Sequence, residues 1–243
     1  KGNPDKDSFK VITFNIRYDN PNDSLNAWPN RASLVAAFIK AEKPDLLGMQ
    51  EALVHQYEYL DSVLTDYESV GVGRTDGAKN GEMNPVFYRK DRFDMIRNKT
   101  FWLSETPEVA GSQAWGAGLP RIVTWMELVE KESHEHIFYF NTHFAHDSDS
   151  ARILSSSLLL SKVDSIATDF PFIITGDFNM TPDSKGFAIL TGPAESVPLL
   201  RDSYLISEKK PGGPSGTFNG FSDKFSVNEL HKCRMNSLNQ SFN

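Results

Sequence analysis

Apolar residues come in short, dense runs separated by polar, turn-forming stretches. The first run, Lys10 to Ile16 (KVITFNI), is rich in β-branched and aromatic residues and predicts a buried strand. A polar loop follows from Arg17 to Pro29. Asn30 is then the expected N-cap of a helix reaching about Lys43, with Leu34, Val35, Phe38 and Ile39 on one face. Pro44 ends that helix, and Asp45 to Gln50 (DLLGMQ) predicts a second short strand. The strand–helix–strand order places the two strands close together in one sheet. A second helix is expected over Leu53 to Leu64.

Strand patterns then follow in quick succession: Tyr67 to Val72, Pro85 to Arg89, Phe93 to Phe101, Ile122 to Val129 and His136 to Asn141. Several are separated by short charged or Gly-containing turns, as antiparallel neighbours are. Ser104 to Pro120 is a long loop rich in Gly and Pro that carries Trp115, and loops of that length are often functional. A helix over Ser150 to Ile166 and a strand over Phe172 to Thr175 lead into Gly176-Asp177-Phe178-Asn179. Leu199 to Leu205 is weakly patterned, and Lys209 to Gly216 (KKPGGPSG) is dense in helix and strand breakers. Many strands with few helices predict an α+β fold: a two-sheet β-sandwich flanked by helices.

Composition narrows the picture. At 243 residues, 39% hydrophobic and 12% aromatic, the chain suits one large domain with a substantial core. No apolar run approaches the ~20 residues needed to cross a bilayer, so no transmembrane segment is expected. A net charge of −7 disfavours long nucleic acid as a partner, because such binding needs many phosphates neutralised by Lys and Arg. A small or soluble phosphate substrate stays open, since a metal ion can carry the local positive charge. The single cysteine, Cys233, forms no internal disulfide and fits either redox compartment. Residues 1–8 are polar and read as a flexible N-terminal segment, such as the start of a processed mature chain. Neither oligomeric state nor substrate identity is legible.

Four segments share one grammar, an apolar strand ending in side chains suited to metal or phosphate: Thr13-Phe14-Asn15-Ile16-Arg17, Gly48-Met49-Gln50-Glu51, Asn141-Thr142-His143-Phe144 and Thr175-Gly176-Asp177-Phe178-Asn179. Strand ends are rigid, so groups placed there are held accurately. Each has a plainer reading. Glu51 could cap the helix that follows, and Asn15 could be an ordinary buried amide. His143 could be structural, and Gly176 to Asn179 a simple turn. Arg17 and Arg121 are phosphate-anchor candidates, because guanidinium matches phosphate oxygens bidentately; the alternative is a salt bridge or a surface position. The recurrence at four strand ends favours a site. His146 and Asp147 are taken as loop residues, and Trp102 and Trp115 as cleft-lining or core.

In combination these segments resemble the signature of the endonuclease/exonuclease/phosphatase superfamily, which includes DNase I-like nucleases, sphingomyelinases and inositol polyphosphate phosphatases. The resemblance spans residues 9–221, with 222–243 as an atypical tail. Phe101-Trp102-Leu103-Ser104 and Pro120-Arg121-Ile122 resemble a bacterial subgroup of small, often exported members; localisation stays open, with a lean toward export that rests on the polar start of the chain. The resemblance implies a DNase I-like four-layer α/β/β/α sandwich. It implies divalent-metal-dependent hydrolysis of a phosphodiester or phosphomonoester by activated water, with Mg²⁺ as cofactor and Mn²⁺ as alternative. Glu51 would be the main metal ligand, with the amide oxygen of Asn15 beside it. Asp177 and Asn179 would position water and phosphate, and His143 would stabilise developing charge. Family members end in an Asp-bearing strand and a Ser-Asp-His motif, and Ser222 to Asn243 contains neither. The expectation is therefore a domain lacking its last strands, truncated or altered near residue 224, with a natural variant ending as the other explanation. His231 lacks the context of the family histidine. A degenerate member that only binds metal or phosphate is the alternative function.

Overall fold

The computed structural model describes residues 8–192, 200–208, 221 and 237–238. The expectations for residues 1–7, for the 209–216 loop, and for His231 and Cys233 fall outside them. Strands β1 (Val11–Asn15) and β2 (Leu46–Gln50) pair in parallel, with Asn15 opposite Gln50, and helix α1 (Trp28–Glu42) is the crossover between them. After α2 (Val54–Val63) come β3 (Tyr67–Val70) and β4 (Val86–Arg89), which complete a four-stranded sheet of order β1-β2-β4-β3. The second sheet begins as an antiparallel meander of β5 (Phe93–Trp102), β6 (Ile122–Glu130) and β7 (His136–His143). Helix α3 (Asp149–Ala167), capped by the Ser148 hydroxyl, crosses over to β8 (Phe172–Asp177), parallel to β7. Two short helices follow, α4 (Lys185–Thr191) and α5 (Ser203–Ile206). Although the tail shows no strand pattern in sequence, Ser237–Leu238 forms a two-residue strand, β9, antiparallel to β8.

Side-chain alternation along the strands sorts the core into layers. Leu47 and Met49 of β2 pack with Val35 and Ile39 of α1 and Leu60 of α2. Phe138 and Phe140 of β7 and Ile174 of β8 pack with Leu159 and Val163 of α3. Leu46, Val86, Tyr88, Met126, Leu128, Tyr139 and Ile173 fill the space between the sheets. The order helix, sheet, sheet, helix is the four-layer sandwich that the resemblance implied. Among the described residues no helix is long and apolar enough to cross a membrane.

Two local expectations are corrected. Asn30 is not the cap of α1: the helix starts at Trp28 after Ala27, with Pro29 in its first turn. Proline suits that position, since the missing N–H has no intrahelical partner there anyway. The side chain of Asn30 instead donates to the Leu25 carbonyl at 3.2 Å. The predicted α1 face also splits. Val35 and Ile39 are buried, but Leu34 is 68% exposed and Phe38 44% exposed, because the four residues span a wider arc than the sheet covers. Phe38 meets Phe14 edge-on, at 5.4 Å between ring centres.

Strand β8 runs two residues further than its apolar pattern, to Asp177, because β7 continues beside it with His143 opposite Asp177. Gly176 permits this approach: a Cβ there would lie 2.6 Å from the Thr142 carbonyl oxygen.

Candidate active site

All four strand-end segments belong to the two parallel pairs, β1 with β2 and β7 with β8. Parallel neighbours carry their C-terminal ends to the same edge, and packing the two sheets brings those edges together. The Asn15 amide nitrogen donates to Glu51 Oε1 at 2.7 Å and to Asp177 Oδ2 at 3.1 Å, joining carboxylates from opposite sheets. His143 Nε2 lies 3.9 Å from Asp177 Oδ2. Asp177 Oδ1 accepts from the Asn179 N–H at 3.1 Å, and the Asn179 amide donates to the Phe144 carbonyl at 3.0 Å, which locks the turn after β8 against the end of β7. Asn15, Glu51, His143, Asp177 and Asn179 are thus gathered into one cluster.

The backbone at this edge is strained. Arg17, Glu51 and Asn179 all adopt left-handed conformations, with φ of 60°, 63° and 51°. Each costs on the order of 1 kcal/mol for an L-residue, and such strain collects where side-chain placement matters more than stability. Glu51 does not cap α2: Gln56 Oε1 accepts the Leu53 N–H at 3.1 Å instead. The other Glu51 oxygen accepts from the Tyr18 N–H at 3.2 Å.

Asn15 is turned differently from the expectation. Its amide oxygen accepts the Arg17 N–H at 2.9 Å, so nitrogen rather than oxygen faces the carboxylates. The two carboxylates outweigh one neutral amide, and this residual negative charge with oxygen donors suits a hard cation. Among the described residues no three His, Cys, Asp or Glu side chains group closely enough to cage an ion, so a cation here would rely on water or substrate oxygens, as Mg²⁺ commonly does. On that chemistry Glu51 and Asp177 fit a divalent ion.

The two arginines separate. Arg17 grips Asp23 through Nε at 2.9 Å and Nη2 at 3.1 Å, which raises its proton affinity, and its Nη1 lies 3.9 Å from Glu51. It stands beside the site as half of an ion pair. Arg121 is buried, with Nη2 on His146 Nδ1 at 3.0 Å and no acceptor for Nε or Nη1 among the described residues. Burial, then the neighbouring Arg74 charge, lowers its proton affinity, while Glu82, Asp147 and Asp177 oppose that.

Two groups of residues had no role in the sequence reading, Glu82 with Arg74 outside the strand-end motifs and a set of polar residues within them. Glu82 holds Arg74 in a bidentate pair, both contacts at 2.9 Å, and its Oε2 lies 4.0 Å from His143 Nδ1. Burial lifts the Glu82 carboxyl above its usual range despite the Arg74 charge. Nothing in its local sequence signals this, since it sits in a loop. The second group is a polar seam between the sheets beneath the site. Asn141 donates to the Met49 carbonyl at 2.6 Å and the Pro85 carbonyl at 3.1 Å, and accepts from Gln50 Nε2 at 2.7 Å. Its oxygen also lies 3.1 Å from the Thr175 hydroxyl. Gly48 makes room for it, since a Cβ there would lie 2.4 Å from Thr175 Oγ1 and 2.5 Å from Asn141 Oδ1. A signal did exist: Asn141 and Thr175 continue the inward alternation of Ile137, Tyr139 and Ile173 with polar residues. Trp102 is core, its indole N–H donating to the Arg74 carbonyl at 2.6 Å, and Trp115 packs half-buried against Ala117, Ala145 and Ala151.

Comparison with known proteins agrees with this architecture. A Bacteroides vulgatus protein of the endonuclease/exonuclease/phosphatase type superposes with a TM-score of 0.88 at 36% identity, covering 95% of this chain and 86% of that one. A Bacteroides thetaiotaomicron mannosyl-6-phosphatase superposes with a TM-score of 0.84 at 33% identity, covering 95% and 84%. An uncharacterised protein of Acanthamoeba polyphaga mimivirus is 30% identical over 184 residues, 70% of this chain and 67% of its own length. The model of the Endonuclease/Exonuclease/phosphatase family matches residues 12–225, and the chain belongs to that family.

Proposed function

We propose that this chain hydrolyses a phosphodiester or phosphomonoester bond of a small or soluble substrate, by activated water and with a divalent cation. The observation that carries the reading is the joining of Glu51 and Asp177, from different sheets, on the single Asn15 amide nitrogen. Glu51 would hold the cation, Mg²⁺ or Mn²⁺, with Asp177 beside it and the Asn15 amide turned to present its oxygen. The bound ion would supply positive charge against the phosphate oxygens. Asp177, fixed by the Asn179 N–H, presents a carboxylate to the attacking water, and the Asn179 amide orients the phosphate. His143, which lies 4.0 Å from Glu82 and 3.9 Å from Asp177, would stabilise the negative charge that grows in the transition state. Arg121 adds a buried cation for the phosphate. The likeness to a mannosyl-6-phosphatase and the net charge of −7 support a small phosphomonoester over duplex nucleic acid.

The test is hydrolysis of p-nitrophenyl phosphate and bis-p-nitrophenyl phosphate with Mg²⁺, with Mn²⁺ and after chelation. Turnover that needs the cation and falls at least about a hundredfold in both Glu51→Ala and Asp177→Ala supports the reading. Turnover indifferent to chelator or to both substitutions refutes it. Cation binding without turnover would favour the alternative, a catalytically degenerate or truncated member acting as a metal- or phosphate-binding module.

A further inference from the structure

Arg121 is held in an unusual way. It is buried, its Nε and Nη1 have no acceptor among the described residues, and its one described side-chain partner is a histidine rather than a carboxylate. A guanidinium carries only donors, so His146 Nδ1 must be the lone-pair nitrogen, with the ring proton on Nε2. Three carboxylates, Glu82, Asp147 and Asp177, lie near enough to act on the Arg121 charge. Each already accepts from another donor, Glu82 from Arg74, Asp147 from the Gly118 N–H and Asp177 from Asn15 and Asn179.

His146 is itself firmly presented. It follows β7, three residues after His143, and the two residues after it are tied to the loop that precedes β6. Asp147 Oδ2 accepts the Gly118 N–H at 2.8 Å, and the Ser148 hydroxyl donates to the Trp115 carbonyl at 2.8 Å. Those two bonds fix the exposed imidazole on the rim while its Nδ1 reaches inward to Arg121.

We propose that His146 is a neutral anchor for Arg121: it fixes the guanidinium with an uncharged acceptor, so that the full positive charge is kept for the doubly charged phosphate of a monoester substrate. A carboxylate at position 146 would hold the arginine as well or better, but would neutralise it. His146 is therefore a positioning residue whose lack of charge is the functional property. The inference rests on the phosphoester reading above and names the substrate class as phosphomonoester.

The test compares two nearly isosteric variants, His146→Asn and His146→Asp, in the full chain with Mg²⁺. Each places an oxygen close to where Nδ1 lies, one neutral and one charged. The probe is inorganic phosphate, followed by titration calorimetry, so no turnover is required. His146→Asn should bind phosphate within about threefold of the unsubstituted protein. His146→Asp should bind about tenfold more weakly, the worth of one charge-assisted contact. If the protein turns over aryl phosphates, the Asp variant should raise KM for p-nitrophenyl phosphate more than for the singly charged bis-p-nitrophenyl phosphate, with kcat little changed. Melting temperatures of the two variants should match, or favour Asp, which separates this role from a structural one. Equal phosphate affinity of the two variants overturns the proposal. Absence of phosphate binding by the unsubstituted protein overturns the proposal, whereas absence of cation-dependent turnover with phosphate still bound removes only the hydrolytic reading.

Discussion

Asn141→Asp replaces one atom in the seam beneath the site and should destabilise the protein severely. The side chain is fully buried, and its nitrogen donates to the Met49 and Pro85 carbonyls at 2.6 and 3.1 Å. In the variant both donors become acceptors facing acceptors. Losing two bonds costs about 1 kcal/mol each, and an unmatched buried oxygen costs about 1–3 kcal/mol more, so the ionised variant should lose roughly 3–5 kcal/mol. In a domain of this size each kcal/mol moves the melting temperature about 2–4 °C, giving a fall of roughly 6–20 °C. The deficit should depend on pH. Burial with no cation in contact raises the new carboxyl in the folded state above its unfolded value near 3.9. A raised folded value means stability is fullest below the unfolded pKa and is lost as pH rises through the folded one. The gap from the unsubstituted protein should therefore widen from about pH 5 to about pH 8. Denaturant unfolding followed by tryptophan fluorescence measures this. A loss below about 1 kcal/mol, or a gap that does not change with pH, would show that the seam does not join the sheets as described.

Three further outcomes follow from the same geometry. Gly48→Ala drives a Cβ to 2.4 Å from Thr175 Oγ1 and 2.5 Å from Asn141 Oδ1, so it should cost about 2–3 kcal/mol in the same unfolding experiment; a neutral result would mean the seam yields freely. Burial raises the Glu82 carboxyl, so folding takes up a proton there, and stability should fall as pH climbs above the ordinary carboxylate range. Glu82→Gln should flatten that part of the melting-temperature profile, and an unchanged slope would refute the assignment. Asp23→Ala releases Arg17, whose Nη1 already lies 3.9 Å from Glu51, to compete with a cation for that carboxylate. Mg²⁺ affinity by calorimetry should fall several-fold while the melting temperature barely moves, since Asp23 pairs near the surface.

Most elements were legible because their cause is local. Alternating or continuous apolar runs marked eight of the nine strands among the described residues within a few positions, and β9 escaped because two residues within a polar tail carry no period. Helix α4 was missed for a similar reason, being seven residues long and too short for its periodicity to show. The exposed half of the α1 stripe shows the opposite limit: apolar spacing identified the helix but not how much of its surface the sheet would cover.

The sequence by itself determined the residue kinds at the strand ends and, through the order of strands and helices, that the chain would form a sandwich. The tertiary structure alone decided which of those residues touch. Asn15 spans to Asp177 across 162 positions and Asn141 to Met49 across 92, distances over which no local pattern carries information. It decided too that Arg17 is occupied by Asp23 while Arg121 meets a histidine, and that a loop residue, Glu82, stands beside His143. Such pairings depend on the register and packing of two sheets, which exist only once the hydrophobic layers have closed over them.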